Sequence, residues 1–254
     1  MRQRHRICDS QITVHPNIER LADDCAERLI ALSSIAIAER GAFHLALSGG
    51  STPRSLYRAL AQTERQQRIT WSQIHLYFGD ERAVPVDHPD SNFRMVRESL
   101  LDHVTIPNDN IHCMHATPGQ IEQNARDYSK LLSQLIPPND HGVPIFDLVL
   151  LGLGPDGHTC SLFPDTPILD ELQRAVAPVY VERLHSWRLS LTFPVLNTAR
   201  HLMFLAAGTD KAAIVKRICG SLTTEEPELP VERIRPSGQV EWHLDVNAAA
   251  DLKS

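Results

Sequence analysis

Short, almost wholly apolar segments alternate with helical patterns along most of this 254-residue chain, and that alternation limits what it can fold into. Residues 43–47 (FHLAL), 74–78 (IHLYF), 145–151 (IFDLVLL) and 201–206 (HLMFLA) read as strands buried on both faces. Helical periodicities fall between them, at 17–40, from about 53, at 91–101, at 121–136 and at about 210–218. In the first, Ile18, Leu21, Ala22, Cys25, Leu29, Leu32 and Ala36 recur every three or four residues, and Gly41 supplies a stop. Further strands are expected near 175–181 and at 188–192. Such a pattern predicts an α/β fold with a mostly parallel, doubly wound (Rossmann-like) sheet, helices on both faces and room for a small additional lobe. One domain over residues 1–254 is expected, close to the size at which single cores stop growing.

The formal net charge of −6 argues against general nucleic-acid binding, which needs a surplus of Lys and Arg. An anionic ligand must then be held by local donors. Neither 145–153 nor 202–207, the most apolar runs, approaches the roughly 20 residues of a membrane span, so no membrane partner is expected. The opening MRQRHRICDSQ is basic but passes into polar residues, unlike a secretory signal, which predicts a cytoplasmic chain. Five widely spaced cysteines, Cys8, Cys25, Cys113, Cys160 and Cys219, read as reduced thiols. A monomer or weak homo-oligomer is expected. Residues 223–230 (TTEEPELP) read as an exposed connection.

Ligands of parallel sheets gather at the carboxyl ends of strands, and two motifs stand there. In the first, Ser48, Gly49, Gly50, Ser51 and Thr52 precede Pro53. The glycines let main-chain N–H groups approach an anion, Thr52 is suited to cap the following helix, and Pro53 fits its first turn. The positive end of that helix would then face a phosphate. An ordinary capped turn is the alternative. The loop lacks the Gly-Lys-Ser/Thr ending of an ATP-type loop, so a sugar phosphate suits it better than a nucleotide.

The second motif, Gly152-x-Gly154-x-x-Gly157, formally matches a dinucleotide fingerprint. Pro155 removes a donor and Asp156 places a carboxylate where a pyrophosphate should lie, which counts against that reading. His158 follows at once; it is either a structural histidine of the turn or a general base. His112 and His115 bracket Cys113 without further ligands, so no metal is expected. After the strand at 74–78, the charges of Asp80, Glu81 and Arg82 are expected at the ligand edge, with Arg82 suited to a forked phosphate contact. Arg188 and Lys211 stand at element ends and are read either as anion ligands or as solvated charges.

LSGGSTP at 47–53, GDERAVP at 79–85, HPDSN at 88–92, LLGLGPDGHTCSLFP at 150–164, RLSLTFPVLNTA at 188–199 and RIRPSGQVEW at 233–242 together resemble the 6-phosphogluconolactonase family, within a group that includes glucosamine-6-phosphate deaminases and isomerases. The deaminase branch shares the first loop, the Asp-Glu pair and the Asp-Gly-His turn. It typically carries Asn-Glu-Pro after the histidine, where this chain has Leu162, Phe163 and Pro164, and Tyr where Arg82 stands. A Lys-Pro-rich approach to the arginine strand, common in lactonases, is replaced by VERLHSWR at 181–188.

The resemblance implies hydrolysis of 6-phospho-D-glucono-1,5-lactone in the pentose phosphate pathway, without metal or organic cofactor. On that basis His158 is expected to act as general base on water, with the residue 48–52 loop, Arg82, Arg188 and Lys211 on the 6-phosphate. Asp156 would orient His158 or shape the turn, and Asp80 would do either near the loop. Alkoxide donors are left open between amides of the 152–157 turn and a cation. A deaminase or isomerase, or a non-catalytic sugar-phosphate sensor, are the competing readings.

Overall fold

The computed structural model describes residues 7–8, 11–220 and 227–252. Its elements run β1 (Gln11–His15), α1 (Ile18–Arg40), β2 (Phe43–Leu47), α2 (Ser51–Leu60), α3 (Thr63–Gln66), β3 (Ile74–Phe78), β4 (Asp80–Arg82), α4 (Asn92–Ser99), α5 (Ile121–Leu135) and β5 (Leu148–Gly152). They continue through β6 (Val176–Val181), β7 (Ser186–Leu191), α6 (Phe193–Thr198), β8 (His201–Ala206), α7 (Ala212–Cys219) and β9 (Gln239–Asp245).

Six strands form one parallel sheet in the order β1-β9-β8-β5-β2-β3. The central strands β2 and β5 are apolar because both their faces are covered: every residue of β2 is buried, as are the first four of β5. From β2 the chain steps outward to β3, then returns past β2 to β5 and on to β8. This reversal opens a crevice at the carboxyl ends of β2 and β5, the place where open α/β sheets bind ligands.

The expected additional unit is a three-stranded sheet, β4-β7-β6, and it is antiparallel. The segments anticipated at 175–181 and 188–192 therefore leave the parallel sheet. Their order explains it: β6 and β7 are joined by four residues, long enough for a hairpin and too short for a crossover. β4 follows β3 after Gly79 alone, so the small sheet reaches the carboxyl edge of the large one directly.

Two other expectations are corrected. Cys8 and Cys219 are joined in a disulfide, with Cα atoms 5.2 Å apart, whereas Cys25, Cys113 and Cys160 are free thiols. Packing brings together residues 211 positions apart, which spacing alone does not reveal. Of the connection at 223–230, residues 223–226 lie outside the described residues, and Leu229 and Pro230 at its end are buried rather than exposed.

Candidate active site

One cavity of about 220 Å³ lies over the crevice and is lined by Ser48, Gly49, Gly50, Ser51, Thr52, Asp80, Arg82, His158, Arg188 and Lys211. Every binding residue expected from the sequence is among them. Asp156 is not; it stands behind His158.

The loop after β2 is rigidly held. Tyr57, fully buried on α2, donates its hydroxyl proton to the Ser48 carbonyl at 2.8 Å and accepts from the Ser48 N–H at 2.9 Å. Burial pushes its phenol far above the usual range, so it stays protonated. Ser48's amide is thus engaged, and the free donors begin after it. Gly50 is the N-cap of α2 at φ +107°, a conformation open to glycine. The cap expected at Thr52 therefore falls two residues earlier, with no side-chain cap, and Thr52 lies in the first turn beside Pro53. Intrahelical bonding starts with Arg54 N–H to the Gly50 carbonyl, leaving the amides of Ser51 and Thr52 at the positive end of a ten-residue helix.

In the small sheet Arg82 pairs directly with Arg188 across β4 and β7. Like charges opposite one another on a sheet face are destabilising without a counter-charge. Burial draws the Arg188 guanidinium below its usual value and the adjacent Arg82 adds to this, while Asp80 opposes it. The Nε atoms of both arginines are buried without a hydrogen-bond partner, as is the Thr159 hydroxyl, which also lines the cavity. Arg82 is anchored through Asn92 Oδ1 and by donating to the Asp90 carbonyl at 3.0 Å. Two cations are thus held together over the end of α2.

Asp80 accepts from the Ser161 hydroxyl at 2.6 Å and from Asn92 Nδ2 at 3.1 Å, which ties the Arg82 strand to the turn that carries His158. Its neighbour Glu81 does not reach the ligand edge. It accepts from the amides of Asn92 and Phe93, both at 2.8 Å, and from the Ser91 hydroxyl at 3.1 Å, at the start of α4. Successive strand residues face opposite ways, so Asp80 and Arg82 share the cavity face that Glu81 cannot. Lys211, just ahead of α7, pairs with Asp210 at 2.9 Å.

The turn after β5 is closed by Gly154 N–H to the His158 carbonyl at 2.8 Å and Gly157 N–H to the Gly154 carbonyl at 3.0 Å. Here Gly154 is obligatory, because a Cβ there would sit 1.9 Å from His158 Nδ1. That nitrogen donates to Asp156 Oδ1 at 2.5 Å, which leaves Nε2 as the free ring nitrogen. Burial raises the Asp156 carboxyl, but the hydrogen bond and charge of His158 and the nearby Arg183 outweigh it and bring it down to about 2. The imidazole stacks on Phe163, ring centres 4.1 Å apart. Val231 N–H donates to the Gly157 carbonyl at 3.1 Å, so the chain beyond Leu229 braces the turn.

Tyr57, Asn92, Thr159, Phe163 and Arg183 complete the site, and sequence reasoning assigned none of them a part in it. Asn92 lay within the HPDSN motif and Phe163 was weighed only for lacking a carboxylate; the aromatic and hydroxyl roles carry no local spacing signal. His112 packs elsewhere, bonded to His75 at 3.2 Å and stacked on Tyr77.

A crevice at a sheet reversal, a helix amino end, a pair of apposed arginines and a carboxylate-held histidine define a doubly wound α/β protein built to act on a small anionic molecule. The chain belongs to the family described as glucosamine-6-phosphate isomerases/6-phosphogluconolactonase, which it matches over residues 16–242. It is 43% identical over 218 residues to a 6-phosphogluconolactonase of Synechocystis, covering 86% of this chain and 88% of that one. To the 6-phosphogluconolactonase of Homo sapiens it is 41% identical over 216 residues, 83% of this chain and 81% of the other. A solved 6-phosphogluconolactonase from Trypanosoma brucei superposes with a TM-score of 0.84 at 30% identity, over 96% of this chain and 99% of that chain.

Proposed function

We propose that this chain is a 6-phosphogluconolactonase, hydrolysing 6-phospho-D-glucono-1,5-lactone to 6-phosphogluconate, with His158 as the general base. The observation that carries it is His158, its Nδ1 bonded to Asp156 at 2.5 Å, lining the same cavity as the Arg82–Arg188 pair. The residue 51–52 amides, Arg82, Arg188 and Lys211 hold the phosphate, and the lactone carbonyl is thereby brought to His158. Nε2 takes a proton from water as the water oxygen attacks C1; the proton then passes to the ring oxygen as the C1–O bond breaks. Truncating the phosphate should lower turnover as well as affinity, because its binding energy orients the carbonyl.

Amide accounting narrows the alkoxide donor. Gly154 and Gly157 donate within the turn, His158 N–H faces Asp156 Oδ1 at 3.3 Å, and Pro155 has no N–H. That leaves the Leu153 and Asp156 amides of the turn, Leu153 lining the cavity, and the cavity's cationic side chains for that task. Phe163, stacked on the imidazole, holds the place where a deaminase would carry its acid, which favours lactone hydrolysis over amine release. We further read the chain as one domain acting on a small sugar-phosphate lactone, in the cytoplasm and as a monomer or weak homo-oligomer. One hydrophobic core shared by both sheets supports the first part, and no described helix is long and apolar enough to cross a membrane.

The test is enzyme-dependent loss of freshly made 6-phosphogluconolactone, corrected for spontaneous hydrolysis, beside ammonia release from glucosamine 6-phosphate. Rapid lactone loss without ammonia is expected; ammonia release without lactone loss would overturn the reading.

A further inference from the structure

Asp156 has two oxygens and two partners. Oδ1 accepts from His158 Nδ1, and Oδ2 accepts from the guanidinium of Arg183. Arg183 lies on the single turn Glu182–Leu184 that joins β6 to β7, so it reaches the histidine turn from the other sheet. Its guanidinium also lies 5.1 Å from the centre of the Phe163 ring, the ring that stacks on the imidazole. The imidazole is gripped at its edge by a carboxylate and on its face by an aromatic ring, and Arg183 touches both. Arg183 does not line the cavity.

We infer that Arg183 is a positioning residue for lactone hydrolysis: it locks Asp156 and Phe163 together and so holds the His158 ring with Nδ1 on Asp156 and Nε2 toward the cavity. This rests on the lactonase reading above. Of the two arginines in the segment 181–188, Arg188 lines the cavity and Arg183 is the one that reaches Asp156. A planar guanidinium can pair with a carboxylate and stack on a ring at once, which an ammonium does poorly.

The charged groups facing His158 are Asp156 in its own turn, Arg183 and Arg188 from the small sheet, and Asp80, Arg82 and Lys211 across the cavity. Of these, Arg183 alone has a described ion pair with the carboxylate that holds the imidazole. Removing it leaves the full charge of Asp156 to the ring, favours the imidazolium and withdraws the base. The acid limb of the rate profile should then move to higher pH.

The experiment measures kcat and KM on 6-phosphogluconolactone from about pH 5.5 to 8.5 for wild type, Arg183→Met and Arg183→Lys, with the His158 tautomer followed by nitrogen NMR. Arg183→Met should lose about tenfold in kcat at neutral pH, keep KM within about twofold and shift the acid limb upward. Arg183→Lys should keep the wild-type limb while losing part of kcat. An unchanged limb and tautomer in Arg183→Met, or an effect confined to KM, would overturn the inference. If wild type fails to hydrolyse the lactone, the functional reading fails instead, and the NMR comparison still decides whether Arg183 holds His158.

Discussion

Arg82 and Arg188 face each other across two strands with Nε atoms unpartnered, a costly arrangement that a bound anion would relieve. Arg82→Ala should therefore weaken 6-phosphogluconate binding by about 10- to 100-fold, the worth of a hydrogen bond to a charged group, as read by calorimetry. Binding unchanged in a folded Arg82→Ala protein would place the phosphate elsewhere. Tyr57 acts one step back, since its hydroxyl satisfies both backbone groups of Ser48. Tyr57→Phe keeps the ring but strands a buried N–H and carbonyl, and should cost about 1–3 kcal/mol in denaturant unfolding while raising KM.

Elements at the opposite, amino edge of the sheet carry a different chemistry. His44 at the head of β2, His75 at the head of β3 and His112 stack in sequence, with His44 bonded to Tyr77 and His75 to His112. Burial, with the neighbouring His75 adding to it, lowers His44 and His112 to about 4, so the folded protein holds them neutral. The unfolded chain protonates them near their ordinary values. Their contribution is thus complete above about pH 6.5 and is lost as pH falls toward 4, by up to about 3 kcal/mol for each. Thermal unfolding followed through that window should show the loss, and His112→Asn should flatten it; a steep decline persisting in the variant would locate the acid sensitivity elsewhere. The strands β2, β3 and β8, apolar but for one histidine each, were legible at their true bounds, because burial on both faces leaves no polar alternation to misread. β9 was not, since Glu241 and His243 interrupt it; Glu241 is buried there against Arg28, and His243 against His15. β4 is three charged residues and carries no strand signal at all. Its partner β7 was expected as a strand at 188–192, but its antiparallel pairing was not, because apolar character reports burial and not strand direction.

Across the whole molecule, the reversal between β2 and β5 brings loops about a hundred residues apart to one crevice, and the small sheet closes its side with Arg82 and Arg188. That Ser48 to Thr52, Arg82, Arg188, Lys211 and His158 line one cavity was readable from strand ends, where open α/β sheets gather ligands. What holds them was not: Asn92 and Phe163 stand close in sequence to Arg82 and His158 but in contacts that no spacing rule signals, and Arg183 reaches Asp156 from another strand connection. The proposed mechanism divides the labour in one way, with His158 for the proton and the cradle with its cations for the phosphate. The measurement that tests it most directly is lactone turnover together with 6-phosphogluconate binding in His158→Ala. Turnover should fall by at least about 10²-fold while the product binds as it does to wild type. Retained turnover, or loss of product binding in a folded variant, would contradict it.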